Sequence, residues 1–590
     1  MTSNESTQRF VDSGDGVRIA VYEEGNPDGP TVVLLHGWPD SHVLWDGVVP
    51  QLADRFRIIR YDNRGAGKSS VPKGVSAYSM ARFSDDFAAI IDAMAPGQPV
   101  HVLAHDWGSI GMWEYLRRPG ASDRVASFTS VSGPGADHLA DYIRGGLKSP
   151  YRPKTFFRAL VQAMSIGYTV WLSVPVLAPL AVRTVHAPRL RRRLARRDGI
   201  PAARIHQSKT YRSDAANSVK IYPANIFRSV ADIARDRYVD VPVQLIVNTR
   251  DPYVRSWIFD VTPQWAPRLW RRDIRAGHWA PMSHPQVLAT AVTEFVDFLD
   301  GKPPSRALLR AQVGRPREQF GDTLVSVTGA GSGIGRETAL AFAREGAELV
   351  VSDINEASVK DTAAQIAARG GIAHAYTLDV ADADAVERFA DEVCADHGVP
   401  DIVVNNAGIA RVGAFLDTPR EQWDRVLDIN LGGVVNGCRA FACRLVDRGT
   451  GGHIVNVASM AAYAPLQSLN AYCTSKAAVY MFSDCLRAEL DAAGVGLTTI
   501  CPGLIDTNIV HTTRFDAPTG KGTQVAGRRK QLEKMFAVRH YGPDKVAKAI
   551  ITAVKKNKPI RPVAPEAYLL YCTSRVAPQA LRSTARGKVI

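Results

Sequence analysis

The segment AHDWG at residues 104–108 could carry out chemistry because it places a carboxylate between small residues. Residues 100–104 are typical of a strand, and the residues after Gly108 are typical of a helix. Small residues two positions on either side of Asp106 suit a strained strand-to-helix turn that pushes the middle side chain into a cavity. A helix N-terminus stabilises negative charge there, so we expect an ionised carboxylate that attacks carbon and forms an ester.

Candidate partners for Asp106 follow along the chain in a definite order. Asp251 comes just after the predicted strand 243–247, and His278 lies in the segment AGHW at residues 276–279. The order nucleophile, acid, histidine is that of the α/β-hydrolase fold. We expect His278 to act as a base on water and Asp251 to hold its tautomer and stabilise its charge.

Two backbone N–H groups are candidates for an oxyanion hole. The segment HGWP at residues 36–39 follows the predicted strand 31–35, and Trp107 directly follows the carboxylate. The sequence therefore places the N–H groups of Trp38 and Trp107 where they can stabilise the charge that develops during hydrolysis of an ester.

Residues 1–300 resemble the epoxide hydrolases of the α/β-hydrolase family, whose lid carries two tyrosines that donate hydrogen bonds to the epoxide oxygen. Tyr168 stands seven residues before a proline, as in that family, with Trp171 between. Tyr222 lies in the segment KIYPAN at residues 220–225, where Pro223 replaces the family's arginine, and Tyr211 is an alternative. The resemblance implies that the tyrosines protonate the alkoxide and that a vicinal diol is released. A haloalkane dehalogenase is the rival, and it would need a second halide donor, for which we find no clear candidate.

A second constellation begins with the segment TGAGSGIG at residues 328–335, between a predicted strand and a predicted helix. Gly329, Gly333 and Gly335 allow a tight turn and close approach of the backbone to a pyrophosphate at the helix N-terminus. Asp353 ends the next predicted strand, and a carboxylate there binds ribose hydroxyls and repels a 2′-phosphate. No arginine adjoins Asp353, so we expect NAD rather than NADP.

Residues 321 to about 510 resemble the short-chain dehydrogenase/reductase family. The resemblance rests on the glycine turn, on NNAG at residues 405–408 and on YCTSK at residues 472–476. It implies that the cofactor is held by Gly329, Gly333, Ile334, Gly335, Asp353, Asp379, Val380, Asn406, Ala407, Tyr472, Lys476 and Thr507.

The same resemblance implies a catalytic set of Asn430, Ser459, Tyr472 and Lys476. Tyr472 must exchange the proton of an alcohol, yet a free phenol has a pKa of about 10. Lys476 lies four residues later, on the same face of a helix, and its ammonium is expected to lower the pKa of Tyr472. Ser459 would bind the substrate oxygen, and Asn430 would position a water that links Lys476 to solvent.

The chain divides into two α/β domains. At 590 residues it is too long for one hydrophobic core. We predict an α/β-hydrolase fold over residues 1–300 with an inserted helical lid at about 140–230, and a linker at 301–320. We predict a Rossmann-type doubly wound parallel sheet over residues 321–590. The polar N-terminus lacks a secretory pattern, so a cytoplasmic protein is expected, and no cysteine spacing indicates a metal site.

The net charge of +14 is concentrated in one segment. Residues 144–228 contain 17 Lys and Arg against 2 Asp and Glu. A solvated helix face explains such a run, and so does peripheral contact with an anionic membrane, because the apolar stretch 169–182 lies within it. No recognition motif accompanies the basic residues, so a nucleic-acid partner is not expected.

Two ordered sets of catalytic residues in one chain predict a bifunctional enzyme. The whole chain resembles fusion proteins of mycolate-making actinobacteria, which implies lipid-like epoxide and alcohol or ketone substrates and a homo-oligomer formed through the dehydrogenase domain. The alternative is a lipid- or nucleotide-binding scaffold without turnover, and the completeness of both sets argues against it.

Overall fold

The structure is a computed structural model that describes residues 6–197, 199–226, 238–506, 513–515 and 541–584. The chain forms two compact units, residues 1–315 and 316–590.

In the first unit, the described residues form an eight-stranded sheet in the order β1-β2-β4-β3-β5-β6-β7-β8. β1 and β2 form an antiparallel edge, β2 pairs antiparallel with β4, and β3 to β8 are parallel. The strands are β1 (Thr7–Asp12), β2 (Arg18–Gly25), β3 (Thr31–Leu35), β4 (Arg57–Tyr61), β5 (Val100–His105), β6 (Val125–Val131), β7 (Val243–Asn248) and β8 (Leu269–Ile274).

Helices cover both faces of this sheet. Alternation along β3 sends Val33 and Leu35 into one apolar core and Val32 and Leu34 into the other. The covering helices and helical turns are His42–Trp45, Val49–Leu52, Ser76–Tyr78, Met80–Met94, Trp107–Tyr115, Ala121–Arg124, Ser256–Gln264, Ala280–Ser283, Pro285–Leu299 and Arg306–Ala311.

The predicted helical lid lies between β6 and β7. Its helices and turns are Ala136–Leu147, Pro153–Ser165, Tyr168–Leu172, Leu177–Ala181, Val182–His186, Ala187–Arg197, Ala202–Arg204, Tyr211–Ser218 and Ile221–Asn225. A small apolar cluster that includes Leu172, Val182 and Tyr222 packs them against Trp107 and Phe83. In the described part of the chain no single helix is long and apolar enough to cross a membrane. The bent pair Pro153–Leu172 and Leu177–Leu194 reaches that length and composition only together.

The segment 301–320, predicted as a linker, has structure of its own. Ser305 caps the helix Arg306–Ala311 by accepting a hydrogen bond from the backbone of Leu308. Leu308 is fully buried against Trp270 and Phe295 of the first unit, whereas Phe320 packs against Phe342 of the second. The division between the units therefore falls at residues 315 and 316, inside the predicted linker.

The second unit contains a seven-stranded parallel sheet, among its described residues, in the order β11-β10-β9-β12-β14-β15-β17. The strands are β9 (Leu324–Thr328), β10 (Glu348–Asp353), β11 (Ala373–Thr377), β12 (Ile402–Asn405), β14 (Gly452–Val457), β15 (Val495–Pro502) and β17 (Ile560–Val563), and β13 (Arg411–Val412) pairs separately with β16 (Arg514–Phe515). The order reverses between β9 and β12, where a doubly wound sheet opens a crevice at the carboxyl ends of its strands.

Helices lie on both faces of this second sheet, as its apolar clusters require. They are Gly333–Ala343, Glu356–Ala367, Ala383–His397, Phe415–Asp417, Arg420–Leu427, Asp428–Gly432, Gly433–Arg448, Met460–Ala462, Asn470–Leu490, Asp491–Ala493, Pro543–Lys555, Pro565–Val576 and Pro578–Thr584.

Candidate active sites

Asp106 occupies a strained turn between β5 and the helix Trp107–Tyr115. Its backbone has φ 50° and ψ −122°, a conformation that costs a non-glycine residue about 1–3 kcal/mol. Gly108 is required there, since a Cβ at that position would lie 2.6 Å from the carbonyl oxygen of His36. The sequence argument for small residues around the turn therefore has a steric basis in the structure.

Two backbone N–H groups hold the carboxylate of Asp106. The N–H of Trp38 donates to Oδ2 at 3.0 Å, and the N–H of Trp107 donates to the same carboxylate. These are the two predicted oxyanion-hole donors. The Trp38 N–H holds Oδ2, and the other oxygen, Oδ1, lies 3.7 Å from Nε2 of His278.

His278 and Asp251 form the predicted acid–histidine pair. Nδ1 of His278 lies 2.7 Å from Oδ2 of Asp251, and both residues are buried. The other oxygen of Asp251 accepts hydrogen bonds from the backbone N–H groups of Tyr253 and Val254. The carboxylate is thus fixed on both sides, and it holds the imidazole with Nε2 facing Asp106.

Burial and charge set the protonation of this triad. Burial raises the pKa of Asp106 to about 6, against the opposing effects of the His278 charge and the two backbone N–H groups. Burial alone would lower the pKa of His278, but the charges of Asp251 and Asp106 raise that pKa to about 9. Burial would also raise the pKa of Asp251, and the charge and hydrogen bond of His278 hold it below its usual value. At neutral pH the site therefore contains an ionised Asp106 beside a protonated His278.

The two predicted lid tyrosines meet at this carboxylate. The hydroxyls of Tyr168 and Tyr222 are hydrogen-bonded to each other, and both lie close enough to feel the charge of Asp106. Their rings are 6.1 Å apart, and the ring of Tyr222 packs edge-on against Trp38 and Trp107. Burial raises the pKa of both phenols well above the usual value, so both are hydrogen-bond donors at neutral pH. Tyr211, the alternative, is buried nearer to Asp40.

The sequence analysis missed a third carboxyl group beside this site. Asp40 is buried, and Oδ2 accepts a hydrogen bond from the indole N–H of Trp279 at 2.9 Å. Burial raises the pKa of Asp40 to about 7, and the charge of Asp40 contributes to the raised pKa of its neighbour His278. The available signal was its position directly after HGWP at residues 36–39, in the loop that supplies Trp38.

The glycine turn of the second unit can close tightly because its glycines have no Cβ. Gly329 has φ 64°, and a Cβ at Gly335 would lie 2.1 Å from the carbonyl oxygen of Gly329. Gly333 and the half-buried Ile334 open the helix Gly333–Ala343, whose N-terminal N–H groups are available to a phosphate.

Asp353 lies at the end of β10 and reaches the glycine turn. Its Oδ2 accepts a hydrogen bond from the N–H of Gly331 at 2.9 Å. An arginine from the helix after the turn reaches the same loop. The guanidinium of Arg336 bonds the carbonyl oxygen of Gly331, but it is also paired with Asp361 at 3.0 Å. Arg336 was missed because it is distant from Asp353 in sequence, and the helix brings it to the same loop.

Two further predicted cofactor segments border the crevice. Asn406 donates from its side chain to the carbonyl oxygens of Thr328 and Gly329, and the N–H of Ala407 donates to Oγ1 of Thr328. Val380 is buried, whereas Asp379 is exposed and caps the backbone of Ala381. The turn after β9 and the loop after β12 are thus tied together around the switch point. Thr507 lies outside the described residues.

Asn430 lies in the wide turn Asp428–Gly432 that precedes a long helix. It is fully buried, and it exchanges hydrogen bonds with the backbone N–H and carbonyl of Ile409. A Cβ at Gly408 would lie 3.1 Å from Oδ1 of Asn430 and 3.4 Å from Nζ of Lys476. The two side chains therefore border the same small space.

Ser459, Tyr472 and Lys476 come together, but the expected effect on the phenol is wrong. Burial raises the pKa of Tyr472, and only the hydrogen bond with Ser459 opposes this. Lys476 does not offset the burial because its Nζ donates to the carbonyl oxygen of Val457 at 2.9 Å and lies 5.9 Å from the centre of the phenol ring. Burial also lowers the pKa of Lys476 to about 8.

One cluster outside both sites contains metal-ligand types, although no metal site was expected. Ligand atoms of Glu348, His374 and His397 lie within 4.8 Å of one another. Hydrogen bonds from His374 to Glu348 and between His397 and Tyr376 already pair these groups, and the two imidazoles are stacked. The cluster therefore has a complete structural explanation.

Comparisons with known proteins give the same two-part organisation. Residues 30–285 match the alpha/beta hydrolase fold family, and residues 323–517 match the short chain dehydrogenase family. The chain is 72% identical over 593 residues to the probable oxidoreductase EphD of Mycobacterium tuberculosis, a match that covers 100% of both proteins. It is 38% identical over 226 residues to D-threitol dehydrogenase of Mycolicibacterium smegmatis, covering 38% of this chain and 83% of that protein.

Among solved structures, a short chain dehydrogenase/reductase from Burkholderia phymatum in complex with NAD is 26% identical. It covers 46% of this chain and 98% of its own, with a TM-score of 0.42. The family matches confirm the predicted fold classes of both units, and the second unit is an oxidoreductase domain that uses an NAD(P) cofactor. Because the full-length match is 72% identical, the chain belongs to the family of the probable oxidoreductase EphD, a fusion of an alpha/beta hydrolase fold with a short chain dehydrogenase.

Proposed function

We propose that the first unit hydrolyses epoxides to vicinal diols and that the second interconverts alcohols and ketones with NAD(H), both on lipid-like substrates. The observation that carries the first half is the position of Tyr168 and Tyr222, whose hydroxyls meet beside the carboxylate of Asp106. Paired neutral phenols next to a buried carboxylate suit an epoxide, which needs a nucleophile at carbon and a proton donor at oxygen.

Ring opening would begin at Asp106. Oδ1 attacks an epoxide carbon and forms an ester, while the carbon–oxygen bond of the ring breaks. Tyr168 and Tyr222 stabilise the alkoxide that leaves and supply its proton. Oδ2 remains hydrogen-bonded to the N–H of Trp38 at 3.0 Å and becomes the carbonyl oxygen of the ester.

Hydrolysis of that ester would use His278. Its Nε2 faces the carboxyl group and takes a proton from water, while Asp251 stabilises the imidazolium that forms. The water oxygen attacks Cγ of Asp106, and the N–H groups of Trp38 and Trp107 stabilise the resulting oxyanion. Collapse of the intermediate breaks the bond to the alkyl oxygen, which takes the proton held by His278, and the diol is released. The proton on the regenerated carboxyl group returns to the tyrosinate, so that Asp106 is again ionised.

The dehalogenase alternative is disfavoured by the two indoles near the carboxylate. The indole N–H of Trp38 donates to the backbone carbonyl of Ala215 at 3.0 Å. The ring of Trp107 packs edge-on against that of Tyr222, with ring centres 5.3 Å apart. The Trp38 indole is therefore occupied within the protein, whereas a halide site needs two donors that point at the leaving group.

In the second unit the chain's residues would transfer the proton of the substrate hydroxyl, and a bound dinucleotide would supply or accept the hydride. Tyr472 exchanges the proton with the substrate oxygen, and Ser459 bonds that oxygen and the phenol. Lys476, with its pKa lowered to about 8, releases or takes a proton near neutral pH and lies beside Asn430. The carboxylate of Asp353 at the end of β10 favours NAD, because it would repel a 2′-phosphate.

Replacing Asp353 by asparagine is expected to weaken the preference for NAD. The substitution keeps an acceptor for the N–H of Gly331 and removes the negative charge. We expect kcat/KM with NAD to fall about tenfold and the NADP reaction to gain relative to it. Steady-state kinetics with both dinucleotides measure this, with the exposed Asp396→Asn as the matched control. A preference for NADP in the wild-type protein would reject the assignment.

Replacing Asp40 by asparagine is expected to lower the pKa of His278. An asparagine oxygen can still accept from Trp279, so the change removes charge with little loss of packing. Ester hydrolysis requires a neutral His278, so its rate rises with pH through that pKa, and the rise should move to lower pH. Single-turnover ester decay across a pH series measures the shift, and exposed Asp92→Asn is the control. An unmoved profile would show that Asp40 does not tune the histidine.

The proposed function is tested by incubating the full chain with short and long aliphatic epoxides, with and without NAD, and identifying the products. We expect diol without NAD, and a hydroxyketone derived from that diol when NAD is present. Diol formation without any oxidised product would restrict the proposal to two separate reactions. Absence of diol from every epoxide would reject the hydrolase half.

A further inference from the structure

One lid helix exposes apolar side chains to solvent, where polar side chains are expected. The helix Pro153–Ser165 buries Ala159 and Gln162, whereas Phe157, Leu160, Val161 and Met164 are exposed along its opposite face. Their spacing of three, four and seven residues places them on one stripe. This helix is therefore apolar toward solvent, a pattern typical of a surface that contacts something else.

The exposed apolar surface continues onto the next two helices. Val170 and Trp171 on the helix Tyr168–Leu172 are exposed, as are Leu177 and Leu180 on the neighbouring helix Leu177–Ala181. Val176, between these helices, is 78% exposed. We call these side chains, together with the stripe on Pro153–Ser165, the apolar lid surface.

Arginines border this surface. The ring of Trp171 lies 5.2 Å from that of His186. His186 in turn lies near Arg189 and Arg193, because their charges contribute, after burial, to its lowered pKa. Both arginines are exposed on the helix Ala187–Arg197. Two further cations are exposed nearby in the chain: Lys154, beside the stripe on Pro153–Ser165, and Arg183, on the turn Val182–His186. An apolar face with a cationic border is the arrangement that binds an anionic lipid surface, where headgroups pair with the cations and side chains enter the acyl boundary.

The short helix Tyr168–Leu172 connects the apolar lid surface with the hydrolase site. Tyr168 begins the helix Tyr168–Leu172, is 38% exposed, and still places its hydroxyl against Tyr222 near Asp106. Val170 and Trp171 follow it on the exposed surface. A molecule held at the apolar lid surface is therefore separated from the reacting carboxylate by one helix.

We propose that the apolar lid surface docks on an anionic lipid bilayer and takes the hydrolase substrate from it. The charge distribution selects this occupant, since residues 144–228 hold 17 Lys and Arg against 2 Asp and Glu. The proposal names a partner for the proposed hydrolase site, but docking does not require epoxide chemistry, so the two can fail separately.

The test is co-sedimentation of the full chain with vesicles of phosphatidylcholine alone or mixed with phosphatidylglycerol. We expect binding to the mixed vesicles, weakened by added salt, because the arginine border is electrostatic. The variant Leu177→Asp with Leu180→Asp should lower vesicle binding about tenfold. A matched control, Ile372→Asp with Leu569→Asp, changes two exposed apolar residues of the second unit and should bind as the wild type does.

Equal binding to both kinds of vesicle, or unchanged binding of the lid variant, would overturn the proposal. So would loss of a wild-type dimer in the lid variant during sedimentation velocity without lipid, because the surface would then be covered by a second copy. The lid variant should keep its turnover of a short, water-soluble epoxide. Wild-type protein that binds mixed vesicles but turns over no epoxide would reject the hydrolase and leave the docking intact.

Discussion

Replacing Asp106 by alanine is expected to lower kcat for epoxide hydrolysis by about 10⁴-fold or more. The substitution removes the nucleophile, and loss of a covalent nucleophile from a catalytic triad has effects of this size. It also removes the partner of the Trp38 N–H and one of the charges that raise the pKa of His278. Diol formation from a saturating epoxide, followed by gas chromatography, measures the loss.

Folding controls make that result interpretable. Asp92→Ala removes an exposed carboxylate of the same unit and should keep full activity. The Asp106→Ala protein should retain its circular dichroism spectrum and its NAD-dependent activity. Epoxide turnover at the wild-type rate in this variant would show that another group opens the ring.

Replacing Tyr472 by phenylalanine is expected to lower NAD-dependent oxidation by about 10³-fold. The change removes only the hydroxyl that exchanges the substrate proton, and acid–base groups of this kind contribute about 10²–10⁴-fold. The phenyl ring keeps the packing of the helix Asn470–Leu490. NADH formation from a secondary alcohol measures the loss, and NADH binding by fluorescence should stay near the wild-type value.

Tyr568→Phe is the matched control because that tyrosine is partly exposed in the same unit. It should oxidise alcohols at the wild-type rate, and both tyrosine variants should hydrolyse epoxides normally. Oxidation in the Tyr472→Phe protein at the control rate would contradict the assigned proton transfer.

Order along the chain made the main residues of both sites predictable. Asp106, Asp251 and His278 each follow a strand, and parallel strands bring their carboxyl ends to one edge of the sheet. The glycine turn and the four-residue spacing of Tyr472 and Lys476 are local patterns of the same kind. Local patterns of this type can be recognised from the sequence alone, because spacing along a helix or strand determines the direction of each side chain.

Properties that depend on burial were not predictable in this way. The pKa of Tyr472 is raised rather than lowered, because the phenol is desolvated and the Lys476 ammonium is hydrogen-bonded to Val457. Asp40 was not predicted as a site residue, because a single aspartate after a loop motif affects the site only when folding buries it near His278. The helix Arg306–Ala311 was not predicted for a similar reason. Leu308 is an apolar residue in a polar segment, and only the folded sheet provides the surface that buries it.

A single turnover in ¹⁸O water tests the central claim most directly. With enzyme in excess over epoxide, the account predicts that the first diol carries unlabelled oxygen from Asp106. The water oxygen should instead appear in the carboxyl group of the peptide that contains Asp106. Label in the diol of the first turnover, with none in that peptide, would show direct attack by water and would contradict an ester on Asp106.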